Sequence, residues 1–109
     1  MPWAMPPPEL TGAQKTRLRG LGQTMPDGVW VGREGAGASV VAQLDRELKR
    51  LELVKVRFTG GQDRNERSIL HGALAQATGS MCIGAVGRTA LFWRPGPAAS
   101  KLLSVDDAG

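Results

Sequence analysis

One stretch decides the fold: Val29-Trp30-Val31-Gly32-Arg33-Glu34-Gly35-Ala36-Gly37-Ala38-Ser39. Three apolar residues end abruptly at a glycine, which is typical of a buried strand followed by a tight loop. Apolar residues then recur at three- and four-residue spacing, which predicts a helix. These are Val41, Leu44, Leu48 and Leu51. Ser39 is the predicted N-cap of this helix, so the stretch reads as a strand, a glycine loop and a helix start.

The predicted loop has the properties of an anion-binding site. The first amides of a helix have no internal partner and lie at the positive end of its dipole. Gly32, Gly35 and Gly37 lack a Cβ, so a phosphate group can approach the backbone closely. Arg33 adds a cation between them. We interpret the loop as a phosphate clamp; the alternative is a strand–helix turn that needs glycine only for its shape.

Length and charge narrow the class of protein. The chain has 109 residues, of which 41% are hydrophobic, so it can form one domain with a core. Its net charge is +4, and the stretch from Leu10 to Arg94 holds 13 Lys and Arg against 7 Asp and Glu. Such a surplus favours a polyanionic partner, usually a nucleic acid and less often a membrane surface, although it can also serve solubility alone.

The composition gives little support to catalysis. One histidine, one cysteine and no cluster of carboxylates leave no catalytic triad, metal site or acid–base pair, so we expect no enzyme, no metal and no cofactor. The glycine loop lacks the GKS or GKT ending of a P-loop. His71 is expected to be a half-buried histidine, and Cys82 a core thiol.

The same composition bears on location. A single cysteine fits a reducing compartment. The first eight residues have no basic region and no long apolar run, and no stretch approaches the roughly 20 apolar residues of a membrane span. We therefore expect a cytoplasmic protein without a membrane partner.

Two further helices carry clear start signals. Thr11 and Gln14 form a capping box that begins the first helix, which should turn Leu18 and Leu21 toward the core. Asp63 and Glu66 form a second box at the start of the third helix. The expected apolar face of that helix is Ile69, Leu70, Ala73, Leu74 and Ala77, and Gly79 ends it.

The remaining strands follow from hydrophobic alternation and turns. Residues 53–59 alternate with period two, so Val54, Val56 and Phe58 should face the core while Lys55 and Arg57 face away. Residues 80–86 and 89–94 form a predicted hairpin around Gly87-Arg88. The second strand of the hairpin carries Leu91-Phe92-Trp93 without alternation, which predicts a central position. Trp30, Phe92 and Trp93 are therefore expected in the core.

The predicted domain covers residues 10–95, between a proline-rich disordered start (1–9) and a flexible tail (96–109). Its elements follow the order helix, strand, helix, strand, helix, strand, strand.

This domain resembles the CRM domain, the RNA-binding module of chloroplast splicing factors and of bacterial YhbY-like ribosome-associated proteins. The resemblance rests on four stretches: Leu10-Thr11, the strand leading into Gly32-Arg33-Glu34-Gly35, Glu52-Leu53-Val54-Lys55-Val56, and residues 86–95. It implies an α/β fold of the two-layer α+β type, with a mixed four-stranded sheet similar to the C-terminal domain of translation initiation factor three. It also implies RNA binding, with bacterial members associated with precursors of the large ribosomal subunit. We therefore expect ribosomal RNA in such precursors as the partner, and separately we expect a monomer.

The resemblance and the charges together define the candidate RNA-binding residues. By position, Gly32, Arg33, Glu34 and Gly35 form the family's GxxG loop, which meets the RNA backbone. Nearby residues expected to extend the footprint are Gly37, Lys15, Arg17, Arg19, Lys55, Arg57, Arg88 and Arg94. For Lys55 and Arg57 the alternative is the solvated face of an edge strand. For Arg88 it is ordinary hairpin polarity, and for Arg94 it is a strand-end charge. Two other functions stay open: a module that binds an acidic ribosomal or signalling protein, and a small phosphate-ligand sensor.

Overall fold

The computed structural model describes residues 9–95 and residue 102. The predicted order of elements is confirmed, with these bounds: α1 (Gly12–Gln23), β1 (Val29–Val31), α2 (Ala38–Leu51), β2 (Leu53–Phe58), α3 (Arg64–Thr78), β3 (Met81–Val86) and β4 (Thr89–Trp93). The proline-rich start and the tail of the sequence analysis lie outside the described residues, apart from Glu9 and Leu102.

The four strands form one mixed sheet in the order β1-β2-β4-β3. β1 runs parallel to β2, whereas β4 is antiparallel to both β2 and β3. β4 is therefore an inner strand, as its unbroken apolar run predicted, and Phe92 and Trp93 are both buried. β2 is also an inner strand, so the alternative that Lys55 and Arg57 lie on an edge strand is wrong.

The core lies mainly between one sheet face and the helices α2 and α3. Val54, Val56 and Phe58 of β2 point into it, as predicted, and meet Leu44 of α2 and Leu74 of α3. The other sheet face is covered at one end by α1, whose Leu18 packs with Leu53, Ile83 and Trp93. The helix α1 thus adds a partial third layer to the two layers predicted. Leu102 packs against the same cluster.

Both capping boxes are present. The side-chain oxygen of Thr11 accepts from the Gln14 amide at 3.1 Å, and Asp63 accepts from the Glu66 amide at 2.8 Å. The helix α3 ends at Gly79, which takes the left-handed conformation expected of a glycine C-cap (φ 63°). Capping chemistry therefore sets three of the six helix ends in the way that the sequence indicated.

Expectations about one helix start and two helix faces are wrong. Ser39 is not the N-cap of α2, because the N-cap is Gly37, two residues earlier. Leu21 is exposed on α1, where Gly22 instead packs against Leu91. On α3, Ile69 is 64% exposed, and Ala73 and Ala77 of the expected face are exposed as well, since Leu70 and Leu74 point inward.

Candidate nucleic-acid interface

Three chain connections meet at one edge of the sheet. Because β1 and β2 are parallel, their carboxyl ends lie side by side, and β4 begins at the same edge. The Thr59 amide donates to the Val31 carbonyl at 2.8 Å, and the Phe58 amide donates to the Arg88 carbonyl at 2.8 Å. The β1–α2 loop, the β2–α3 connection and the β3–β4 turn are thereby gathered at this edge, which we call the loop edge (residues 32–37, 59–64 and 87–88).

The GxxG loop is a tight turn with its tip in solvent. The Gly35 amide donates to the Gly32 carbonyl at 3.2 Å, so Arg33 and Glu34 lie at the exposed tip. Gly35 is buried at φ 66°, and a Cβ there would lie 3.1 Å from a methyl group of Leu70. Backbone conformation and packing both require glycine at this position. Part of the glycine pattern therefore serves shape, as the alternative interpretation held.

The next connection supports the loop from below. Gly60 lies so close to the backbone of Gly32 that a Cβ on Gly60 would be 2.5 Å from the Gly32 carbonyl group. The side chain of Gln62 bridges the two segments, because its Oε1 accepts from the Gly60 amide at 3.1 Å and its Nε2 donates to the Gly32 carbonyl at 2.7 Å. Sequence reasoning missed both residues; Gly60-Gly61 was visible only as a break in the strand pattern.

The start of α2 leaves backbone donors open. Its N-cap is Gly37, which has no side chain to accept from the first turn. Among the described residues no acceptor meets the amides of Ala38, Ser39 or Val40. Ala38 and Ser39 are exposed. Unpaired amides at the positive end of a helix of 14 residues attract an anion that reaches this turn.

Exposed cations surround the loop edge. Arg33 is at the tip of the GxxG loop, Arg88 is in the β3–β4 turn, and Arg64 is in the first turn of α3. None of the three has an ion-pair partner in the part of the chain that the structure describes. Arg67 is engaged instead, since its Nη1 donates to the Gln62 carbonyl at 2.6 Å. The loop edge therefore combines open amides with unpaired guanidinium groups.

The other candidate cations lie on the sheet face that α1 partly covers. Lys55 and Arg57 point to this face from β2, and Arg57 pairs with Asp27 at 2.6 Å. From α1, Arg19 donates to the Ile83 carbonyl at 2.9 Å, and Arg17 donates to the Leu102 carbonyl at 3.3 Å. Lys15 lies half-buried on the same helix. The structure thus divides the predicted residues into a loop-edge group and a sheet-face group.

Arg94 has a different position. Its guanidinium donates to Asp45 Oδ1 at 2.8 Å, to the Asp45 carbonyl at 3.1 Å and to the Thr78 carbonyl at 2.6 Å. Burial opposes the ionisation of Asp45, but hydrogen bonds from Arg94 and Lys49 outweigh it and lower the pKa of this carboxyl. These contacts tie the end of β4 to α2 and α3. Arg94 is accordingly a connector between elements, and its guanidinium is occupied by contacts within the protein.

The position of Trp30 differs most from its prediction. It was expected in the core, but it is 51% exposed on the middle of β1. Its neighbours Val29 and Val31 are fully buried, so the strand alternates between core and solvent. The expectation failed because a three-residue apolar run was read as buried on both faces, whereas α1 does not extend over β1. Because all three residues of β1 are apolar, the sequence shows no alternation that could have predicted this exposure.

Metal binding and thiol reactivity depend on the Cys, His, Asp and Glu side chains of the described residues. No group of three His, Cys, Asp or Glu side chains comes close enough to hold a metal ion among residues 9–95 and 102. Burial raises the pKa of the Cys82 thiol, which disfavours the reactive thiolate. None of the helices described is both long and apolar enough to cross a membrane.

The fold and the loop define a protein of the small α+β class that carries a GxxG loop. Residues 10–94 match the family model of the CRS1/YhbY (CRM) domain. The chain belongs to this family.

Relatives and a solved structure agree with this assignment. The chain is 30% identical over 95 residues to a probable RNA-binding protein of Pseudomonas aeruginosa, covering 87% of this chain and 90% of that protein. It is 31% identical over 100 residues to a probable RNA-binding protein of Methanocaldococcus jannaschii, covering 88% and 72%. The solution structure of a Staphylococcus aureus protein described as a candidate RNA-binding protein superposes with a TM-score of 0.72 at 27% identity, covering 81% and 91%.

Proposed function

We propose that this protein binds RNA through the loop edge and acts, without catalysis, in the assembly of the large ribosomal subunit. The observation that carries the proposal is the pairing of open amides at the start of α2 with the exposed, unpaired Arg33 in the adjoining loop. Phosphate groups of the RNA backbone accept from these donors, and Arg64 and Arg88 extend the positive surface. The names of the relatives and the family membership support RNA as the partner.

The proposed recognition is of backbone and shape. Contacts to phosphate position a protein on RNA but carry no base sequence information. Glu34, at the tip of the same loop, repels phosphates and limits how closely the backbone can pass on its side. The proposal is for a monomer that acts in the cytoplasm.

The test is a salt titration of RNA affinity for Arg33→Ala. Loss of one phosphate contact reduces the slope of log K against log salt by about 0.7 to 0.9 and the affinity by about five- to tenfold near 0.1 M salt. Arg46→Ala is the matched control, since Arg46 is also exposed and unpaired within the described residues but lies midway along α2. Equal salt slopes for Arg33→Ala and the parent protein would show that the GxxG loop does not bind RNA phosphates through Arg33.

A second experiment addresses the ribosomal role and the protein-binding alternative. Particles that sediment as large-subunit precursors are isolated with the bound protein and treated with nuclease. Release of the protein on digestion supports RNA as the partner. Retention after complete digestion would favour an acidic protein partner instead.

A further inference from the structure

The exposed indole of Trp30 lies next to cations on the open half of the sheet. Trp30 on β1 pairs in register with Arg57 on β2. Lys55 lies two residues before Arg57 on β2 and points to the same face of the sheet. The Nε of Arg57 donates to a carboxylate oxygen of Asp27, and the Arg57 side chain is still close to half exposed. Trp30 has no ring partner and no hydrogen bond to its indole nitrogen within the described part of the chain. An uncovered aromatic ring is therefore bordered by basic residues.

The sheet face continues from these residues into an open groove. The groove has a volume of about 630 Å³ and lies between the end of α1 and the strands β3 and β4. Lys55 and Arg19 line it, together with the apolar side chains of Leu91 and Val86. Lys55 thus belongs both to the surroundings of Trp30 and to the groove wall, which makes one continuous surface across the sheet.

The position of Trp30 relative to the GxxG loop defines what can reach both. Two extended residues span about 7 Å, so the ring of Trp30 is anchored within this distance of Gly32. A strand of RNA whose phosphate lies at the loop edge can therefore place its next base on the sheet face. A protein partner fits this surface less well, because Lys55 lies on it and lysine is depleted at the centres of protein interfaces.

We propose that Trp30 is a stacking site for one unpaired base of single-stranded RNA, with Lys55 and Arg57 contacting the phosphates on either side. This inference rests on the proposed function, since it extends the same RNA strand from the loop edge onto the sheet. Aromatic side chains on exposed sheets stack bases without strong sequence preference. The chain then selects RNA with an unpaired segment over a continuous duplex.

The test compares Trp30→Leu and Trp30→Phe in the full chain. The probes are an oligouridine of about ten nucleotides and a blunt RNA duplex. Trp30→Leu should lower affinity for the oligouridine about 5- to 100-fold and leave the salt slope unchanged, because no charge is removed. Trp30→Phe should recover most of the loss, and duplex affinity should stay the same in both variants. Ile69→Ala is the control, since it removes another exposed large apolar side chain, on α3.

A direct signal comes from fluorescence in a Trp3→Phe background, where Trp30 and the buried Trp93 remain. Oligouridine should quench the emission of this protein, and the further change Trp30→Phe should abolish the quenching.

The outcomes separate this inference from the proposed function. If Arg33→Ala weakens binding while Trp30→Leu does not, RNA binding stands and the stacking site is refuted. If Trp30→Leu weakens oligouridine and duplex equally, or alters the oligomeric state without changing RNA affinity, the ring serves general contact or self-association and the inference is overturned.

Discussion

Gln62 donates from Nε2 to the carbonyl oxygen of Gly32 at 2.7 Å and so fixes the first residue of the GxxG loop to the segment that follows β2. The same side chain accepts from the Gly60 amide at 3.1 Å. The side-chain amide of Gln62 thus acts as both donor and acceptor. It joins the segments of Gly32 and Gly60, because these two glycines have no side chains that could make such a contact. The geometry of the loop edge depends on this contact between residues 30 positions apart in the sequence.

Replacing Gln62 with Ala should loosen the loop without removing a charge. We expect RNA affinity to fall several-fold at an unchanged salt slope. The free energy of unfolding should fall by about 1–2 kcal/mol, since two partly buried hydrogen bonds are lost. Calorimetry and RNA titration measure the two effects. Gln76→Ala, an exposed change on α3, should alter neither. A drop in salt slope would contradict a purely positioning role.

Glu34 places a carboxylate at the tip of the loop that is proposed to bind phosphate. Among the described residues it has no ion-pair partner, so its charge acts on whatever approaches the tip. Glu34→Gln should raise RNA affinity by about two- to fivefold at low salt, and the gain should shrink as added salt screens the repulsion. Glu47→Gln on α2, where the carboxylate is paired with Arg50, is the comparison. A loss of affinity in Glu34→Gln would mean that the carboxylate makes a favourable contact with RNA.

The sequence predicted the order of elements because its local signals agreed with the fold. Caps at Thr11, Asp63 and Gly79 lie where side-chain chemistry or a left-handed backbone demands them. The alternation of Val54, Val56 and Phe58 set the core face of β2. Each of these signals depends only on neighbours within a few residues along the chain.

The failures arise where distant contacts decide. On α3, the inner positions are shared by polar residues: Thr78 is buried because its hydroxyl donates to the Leu74 carbonyl at 2.8 Å and pairs with Ser80 at 2.7 Å. His71 also takes an inner position, so Ile69 is left outside. The periodicity of apolar residues alone therefore predicted the inner face of α3 one residue too early in the sequence. Likewise, the exposure of Trp30 depends on how far α1 extends across the sheet, which no local pattern reports.

Gly37 leaves the first turn of α2 without a side-chain cap, and a substitution at this position can supply one. A Cβ at this position meets nothing within 4 Å, and φ is −72°, so a side chain is tolerated. Gly37→Asn should raise the free energy of unfolding by a few tenths of a kcal/mol, because its side-chain oxygen accepts from a free amide. RNA affinity should fall, because the same amide is no longer available to phosphate. Gly35→Ala, by contrast, should destabilise the fold by about 1–2 kcal/mol.

If Gly37→Asn stabilises the helix and RNA affinity stays at the parental value, the amides of α2 take no part in binding. Chemical unfolding and RNA titration on the same preparation decide between the two results.

Arg94 should contribute to stability and not to RNA binding. Arg94→Met keeps the aliphatic stem and removes three hydrogen bonds, leaving the Thr78 carbonyl and Asp45 without this partner. We expect a loss of about 1–3 kcal/mol in the free energy of unfolding and no change in the salt slope of RNA affinity. Arg88→Met removes an exposed guanidinium and should show the reverse pattern. Weakened RNA binding by folded Arg94→Met would return this residue to the interface.

His71 makes stability depend on pH. Its ring lies 5.2 Å from Phe58 and 6.5 Å from Phe92, and its Nε2 is buried without a partner in the described residues. Burial, with a smaller effect of the Arg67 charge, lowers the pKa of His71 below its usual 6.5. The unfolded chain therefore binds a proton more readily than the folded chain as the pH falls through about 6.5, so stability decreases on acidification and is restored as the pH rises.

This histidine is the only one in the chain, so few other groups titrate in that range. His71→Leu should flatten the dependence of the melting temperature on pH between about 7.5 and 5.5 and raise the melting temperature at the acidic end. Ser68→Leu, an exposed change one turn earlier on α3, should keep the parental slope. Parallel melting curves for the parent and His71→Leu across this range would show that the ring protonates without penalty and that its buried nitrogen is accessible to water.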